Sequence, residues 1–273
     1  MAFLLRSFGL RRPVEIIPNV LTVAALCFGM SSIRYAIDGD FEFSVVCLAI
    51  SAVLDGLDGH AARALGASTA LGAELDSLCD LADFGVSPGF VLFLWGRSSE
   101  LNTFPYCLLY VACCALRLGR FNTKIKKKLD KVMVPNAADR KAVFPLPRNI
   151  FKRKLYFEGV PAPMGASLAL TPIAWSLSSN LPPLSVSAST SLTIAGLLML
   201  SSVPTFSSKM LMRSKKSSHL RSRSYVRVVA KGACVVGGVY ALYTYPMTTF
   251  VVCNLGYLLS IPVAVVMYYG FAF

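Results

Sequence analysis

Apolar stretches about 20 residues long, separated by short polar segments, leave this chain few folds to choose from. Eight such stretches run at about 16–34, 41–63, 73–95, 101–120, 160–178, 185–203, 226–244 and 247–270. Each is close to the roughly 20 residues that a helix needs to cross a bilayer. Only 15% of the 273 residues are charged, against about 25% in a soluble domain. The expected fold is therefore all-α and integral to the membrane, a polytopic bundle of about eight transmembrane helices. The first stretch has a basic start and an apolar core, as a signal peptide has. It lacks an A-x-A cleavage pattern and seven more stretches follow, so it reads as a retained helix.

Charge gives the orientation. Of the 27 Lys and Arg, 22 fall in three segments: ahead of the first stretch, between Lys124 and Lys154, and between Lys209 and Lys231. The alternate loops hold little positive charge, which is a positive-inside pattern with both termini cytoplasmic. The net charge of +13 is thus explained by topology and anionic lipid headgroups rather than by nucleic acid. Residues 1–15 form a basic juxtamembrane segment, with 1–12 reading as a short amphipathic stretch on the membrane surface. Residues 16–273 form a single transmembrane domain carrying a basic cytoplasmic loop at about 121–159. The eight cysteines lie in apolar stretches with no C-x-x-C spacing. They read as small hydrophobes of membrane helices, not as disulfides or zinc ligands.

Against this background the stretch DGLDGHAARALGASTALGAELDSLCD at 55–80 stands out. Asp55 and Asp58 are spaced i, i+3, and Asp76 and Asp80 i, i+4, so each pair shares one helix face. The two helices are antiparallel neighbours, and the four carboxylates can converge at the cytoplasmic end of the bundle. Unpaired, they would cost several kcal/mol each. Arg63 is the one base close in sequence. Divalent cations resolve the excess, and carboxylate-only ligation suits hard ions such as Mg²⁺ or Mn²⁺. Two ions sharing four aspartates is a usual arrangement for phosphoryl displacement. Gly56, Gly59, Ala61, Ala62, Gly72 and Ala73 strip side chains from the same region, either for close helix packing or to admit a bulky ligand. Arg63 then suits a clamp on phosphate oxygens; otherwise it is a snorkelling interface residue.

These residues spell D-x2-D-G-x2-A-R-x8-G-x3-D-x3-D, which resembles the signature of the CDP-alcohol phosphatidyltransferase family at Asp55, Asp58, Gly59, Ala62, Arg63, Gly72, Asp76 and Asp80. The likeness extends to the bacterial-type phosphatidylserine synthases of that family. It runs through IPNVLTVAALCFGMSSIRYAIDG at 17–39, GAELDSLCDLADFGVSPGFVLF at 72–93, CALRLGRFN at 114–122, FEGVPAPMGASLAL at 157–170 and PTF at 204–206. His60 stands where those enzymes commonly carry Arg or Lys, and Asp83 where Ser or Asn is common. The 121–159 loop is longer than usual.

The resemblance implies the family fold, a CDP-diacylglycerol donor, an L-serine acceptor, and phosphatidylserine and CMP as products. It implies metal ligation by Asp55, Asp58, Asp76 and Asp80, with Asp80 also the general base for the serine hydroxyl. Gly59, Ala62, Arg63, Thr69 and Gly72 match positions that hold the CDP moiety, with Asn19 and Thr22 as further candidates. Arg117, Arg120 and Asn122 are assigned to recognition of the acceptor or a phosphate; the alternative for the two arginines is positive-inside anchoring. Pro161 and Pro163 read as shaping the start of the fifth stretch. Family members suggest a homodimer, and the setting implied is a bacterial inner membrane with the site facing the cytoplasm. Two other readings stay open at this point. One keeps the chemistry with another alcohol, such as glycerol 3-phosphate, inositol phosphate or choline. The other is a divalent-cation transporter, which accounts for the carboxylates but not for Arg63 and the glycines.

Overall fold

A computed structural model describes residues 13–97, 102–133, 156–178, 182, 186–206, 241 and 244–270. The predicted surface segment at 1–12, most of the 121–159 loop and the seventh apolar stretch lie outside the described residues.

After a short 3₁₀ turn at Pro13–Glu15, helices α1 (Ile16–Ile37) and α2 (Phe41–Ala64) form an antiparallel hairpin. The Asp40 side chain caps α2 by accepting from Phe43 N at 3.3 Å, and Gly39 supplies the positive φ of the turn. The buried positions of α1 are Pro18, Thr22, Ala25, Gly29, Ser32 and Ala36. They recur every three or four residues and are small, which is how helices approach closely where no hydrophobic effect drives them together. Ser44 Oγ on α2 donates to Ser32 O at 2.8 Å along this seam.

The third predicted span is interrupted. Helix α3 (Ala70–Leu81) passes into a π-helical turn (Ala82–Val86) and continues as α4 (Ser87–Gly96). The wide turn brings Asp83, Phe84 and Gly85 all into the interior. Tyr110 OH donates to Phe84 O at 2.8 Å from the next helix, satisfying a carbonyl at the point where α-helical pairing lapses. That next helix, α5 (Phe104–Met133), runs 13 residues past the predicted end of its span, into the segment expected to be loop; its Lys-rich continuation still supports helix.

The fifth predicted span is two short helices, α6 (Ala162–Ala169) and α7 (Thr171–Leu177), with Pro161 at the N-cap of α6 and a proline near the start of each. Pro172 has no N–H to continue the ladder. At the break, Ser167 O accepts from Asn254 Nδ2 at 3.0 Å and Thr171 Oγ1 at 3.3 Å. Helix α8 (Ala188–Leu200) is shorter than its predicted span, and α9 (Pro246–Gly270) is the last. Two strands, unforeseen in the sequence, pair antiparallel: β1 (Tyr156–Glu158) with β2 (Pro204–Phe206), Phe157 opposite Thr205.

The core gathers Val91, Leu92, Tyr110, Cys114, Ile173 and Leu192 from α4, α5, α7 and α8. Outward-facing Leu78, Leu259 and Val266 are 68–74% exposed, as suits an apolar solvent. Four described helical segments are long and apolar enough to cross a membrane: Ile16–Ile37, Ala70–Gly96, Phe104–Thr123 and Pro246–Tyr268. The α2 helix has the length, 24 residues, but carries Glu42, Asp55, Asp58 and Arg63. The seven described cysteines are free and five of them are buried, as expected of small hydrophobes.

Candidate active site

The turn from α2 into α3 builds the site. Gly66 adopts φ +57° at the reversal, and Thr69 caps α3 by accepting from Gly72 N at 3.0 Å. This sets α3 antiparallel to α2 with the second pair of aspartates facing the first. Carboxylate oxygens of Asp55, Asp76 and Asp80 lie within 4.8 Å of one another. None of the four signature aspartates makes an ion pair with a base among the described residues. Three mutually close carboxylates with no ion pair form an all-oxygen donor set, which fits a hard divalent cation.

Asp58 stands outside that trio. It is 3% exposed, and its carboxylate accepts from Thr22 Oγ1 on α1; the same hydroxyl lies 3.0 Å from Pro18 O. Asp58 faces an open cleft of about 580 Å³ between α1, α2 and α3. Asn19, Thr22, Gly59, Ala62, Arg63, Thr69 and Gly72 all line this cleft, and Asp76 forms part of its wall. Every residue expected at the CDP moiety is therefore brought together. Pro18, Ala67, Ser68 and Ala73 line it as well; their only sequence signal is adjacency to the motif positions.

One glycine here sits at a close approach. A Cβ at Gly72 would stand 2.9 Å from Asn19 Oδ1 and 3.0 Å from Thr69 Oγ1. At Gly59 it would stand 3.4 Å from a terminal nitrogen of Arg63, an ordinary contact. The Arg63 guanidinium interacts electrostatically with Asp58.

The three residues expected at the acceptor separate. Arg117 is half-buried, interacts with Asp80, and has no hydrogen-bond partner at Nε. Arg120 is exposed and donates to Leu200 O at 3.1 Å, joining α5 to α8. Asn122 Nδ2 donates to Ser77 Oγ at 3.0 Å, so its amide holds α3 rather than facing the carboxylates. His60 is exposed, with Nδ1 2.7 Å from Gly56 O of its own helix.

Asp83 does not line the cleft. The π-helical turn swings it inward to 1% exposure. There its Oδ2 accepts from Ser51 Oγ at 2.9 Å, and its Oδ1 packs against Gly29 without a partner.

Comparisons with known proteins point to one family. The model of the CDP-alcohol phosphatidyltransferase family matches residues 15–200. A protein of Mycobacterium leprae named CDP-diacylglycerol–serine O-phosphatidyltransferase is 37% identical over 153 residues, covering 56% of this chain and 45% of its own. Proteins of the same name from Helicobacter pylori and Bacillus subtilis are 35% and 34% identical over 111 and 116 residues, covering 40% and 41% of this chain and 47% and 63% of theirs. The chain spans about half the length of the first of these relatives. With the family match covering the hairpin, the acidic trio and the cleft, the chain belongs to the CDP-alcohol phosphatidyltransferase family.

Proposed function

We propose that the protein transfers the phosphatidyl group of CDP-diacylglycerol to L-serine, giving phosphatidylserine and CMP. The observation that carries this reading is a shared wall: Asp76 lines the cleft and belongs to the acidic trio. A nucleotide diphosphate seated among Asn19, Arg63, Thr69 and Gly72 therefore meets the carboxylates at its phosphates. The names of these relatives support the donor and the acceptor.

In this reading Arg63 clamps phosphate oxygens, and Gly59 and Gly72 let the cytidylyl group approach the backbone. Asp55, Asp76 and Asp80, with Asp58 beside them, would hold one or two Mg²⁺ or Mn²⁺. Bound there, they would supply positive charge against the pyrophosphate and Lewis acidity at the phosphorus under attack. Asp80 accepts the proton of the serine hydroxyl as its oxygen bonds to phosphorus and the bond to CMP breaks. Arg117, next to Asp80, meets the anionic end of the acceptor.

The remaining architecture belongs to the same proposal. The single domain at 16–273 crosses a bacterial inner membrane about eight times in the family fold, as a homodimer, with the cleft open to the cytoplasm. The basic segments flanking the spans support that orientation.

The test is CMP release by the purified protein in detergent, with CDP-diacylglycerol, Mn²⁺ or Mg²⁺, and one alcohol at a time. Release that requires L-serine and is abolished in Asp80→Asn is expected. Release with glycerol 3-phosphate or another alcohol instead would move the acceptor. Cation uptake into vesicles with no CMP from any alcohol would replace the enzyme by a transporter.

A further inference from the structure

A hydrogen bond reaches a signature aspartate from outside the acidic hairpin. Thr22 Oγ1 on α1 donates to Asp58 Oδ2 on α2, 36 residues away. Both residues are buried, and both line the cleft. Thr22 belongs to the row of small buried residues, Pro18, Thr22, Ala25 and Gly29, along which α1 packs. Its Oγ1 also lies 3.0 Å from Pro18 O, one turn earlier in the same helix. A threonine in a helix is divided between two side-chain rotamers, and an approach to the carbonyl four residues back selects one of them. The hydroxyl is thus delivered to a fixed point by helix packing rather than by a flexible arm.

A hydroxyl has one proton to give. Pro18 O stands where the backbone N–H of Thr22 bonds in an α-helix, so the proton goes to the charged acceptor, the Asp58 carboxylate. One oxygen of Asp58 is thereby committed to α1. The four aspartates divide accordingly: Asp55, Asp76 and Asp80 form the trio, and Asp58 stands apart on the wall of the cleft. Asp58 follows Asp55 by three residues on one helix face. Without a partner, its carboxylate would have two rotatable bonds along which to move relative to the trio. Metal ligands need outer partners to fix their orientation, and the loss of one costs about 10–100-fold in metal affinity.

We propose that Thr22 is a positioning residue for the cation site: its hydroxyl holds the Asp58 carboxylate at the border between the acidic trio and the nucleotide cleft, so that α1 sets the affinity for a divalent cation there. This rests on the metal-dependent phosphatidyltransferase reading above. It gives Thr22 a role other than the contact with the CDP moiety that the family resemblance implies. The two roles separate by experiment, because a nucleotide contact acts on the donor and a positioning contact acts on the cation before any donor is bound.

The test is Mn²⁺ binding to the purified full-length protein in detergent, without substrate, followed by loss of the free-ion electron paramagnetic resonance signal. Thr22→Val keeps the shape and removes the hydroxyl; Thr22→Ser keeps the hydroxyl. The Kd for Mn²⁺ should rise about ten-fold in Thr22→Val, stay close to the wild-type value in Thr22→Ser, and rise at least as far in Asp58→Asn as in Thr22→Val. Thr22→Ala, which brings in no new methyl group, should match Thr22→Val. Adding Thr22→Val to Asp58→Asn should cost nothing more. In CMP-release assays the cation concentration for half-maximal rate should shift by the same factor in Thr22→Val, with KM for CDP-diacylglycerol at saturating Mn²⁺ unchanged. An unchanged Kd in Thr22→Val and Thr22→Ala overturns the proposal, as does a loss that Thr22→Ser shares or one that persists in full beside Asp58→Asn. A raised KM for CDP-diacylglycerol with unchanged cation binding also overturns it and returns Thr22 to the nucleotide. A wild type that binds no Mn²⁺ overturns it outright. A wild type that binds Mn²⁺ but releases no CMP with any alcohol overturns the transfer reading alone, and the binding comparison still decides the role of Thr22.

Discussion

Asn122 Nδ2 donates to Ser77 Oγ at 3.0 Å, tying α5 to the turn of α3 that separates Asp76 from Asp80. The bond fixes the rotation of the helix that presents both carboxylates. Asn122→Ala should lower CMP release about ten-fold while costing about 1 kcal/mol of stability. Ser77→Ala should do the same, and the double variant should lose no more than either single one, because one bond is removed in all three. Initial rates with thermal unfolding of the four proteins decide this.

Gly72→Ala forces a methyl group to 2.9 Å from Asn19 Oδ1 and 3.0 Å from Thr69 Oγ1. Asn19 is displaced from the cleft and the Thr69 cap is strained. The expected result is a KM for CDP-diacylglycerol raised about ten-fold, with a loss of about 1 kcal/mol from the weakened cap. Titration of CDP-diacylglycerol at saturating L-serine measures it.

The buried carboxylate of Asp83 has one partner, Ser51, and one oxygen against Gly29. A charge buried with half its acceptors unused is a liability to stability. Asp83→Asn keeps the shape and should raise the unfolding midpoint by roughly 2–4 °C, the shift that goes with about 1 kcal/mol in a chain of this size. Gly29→Ala drives a methyl group into the carboxylate and should destabilise by about 1–3 kcal/mol. Its cost should fall in an Asp83→Ala background, which differential scanning calorimetry or fluorescence unfolding can read.

Removal of divalent ions by EDTA should abolish CMP release and leave the helical circular dichroism intact, because the helices are held by packing rather than by the carboxylates. Re-addition of Mn²⁺ or Mg²⁺ should restore it. Asp55→Asn, which withdraws one oxygen from the trio of Asp55, Asp76 and Asp80, should raise the cation concentration needed for half-maximal rate by tenfold or more. A variant with unchanged cation dependence would remove Asp55 from the metal set.

The acidic hairpin was legible in the sequence because its information is local. Capping at Thr69, the turn at Gly66 and the spacings within 55–80 lie inside one contiguous segment, so the four aspartates and Arg63 stood out together, while Asn19 and Thr22 of α1 were reached only through the family resemblance. What sequence left hidden depends on contacts across the chain. The inward swing of Asp83 needs the π-helical turn, whose exposed carbonyl is answered by Tyr110, 26 residues away. The break at Leu170 is stabilised by Asn254, 87 residues from Ser167. The roles of Asn122 and Arg120 turn on Ser77 and Leu200, partners that no helical period points to.

The π-helical turn at Ala82–Val86 has a consequence for the two halves of the span that it interrupts. Each residue of an α-helix advances the side chains by about 100°, so in an unbroken helix the aspartates of α3 and the packing face of α4 would be locked in one phase. The extra residue in the wide turn resets that phase between α3 and α4. Val91 and Leu92 of α4 can therefore be fully buried in the core while Asp76 and Asp80 of α3 face the carboxylate of Asp55, two orientations set on one span by one inserted residue.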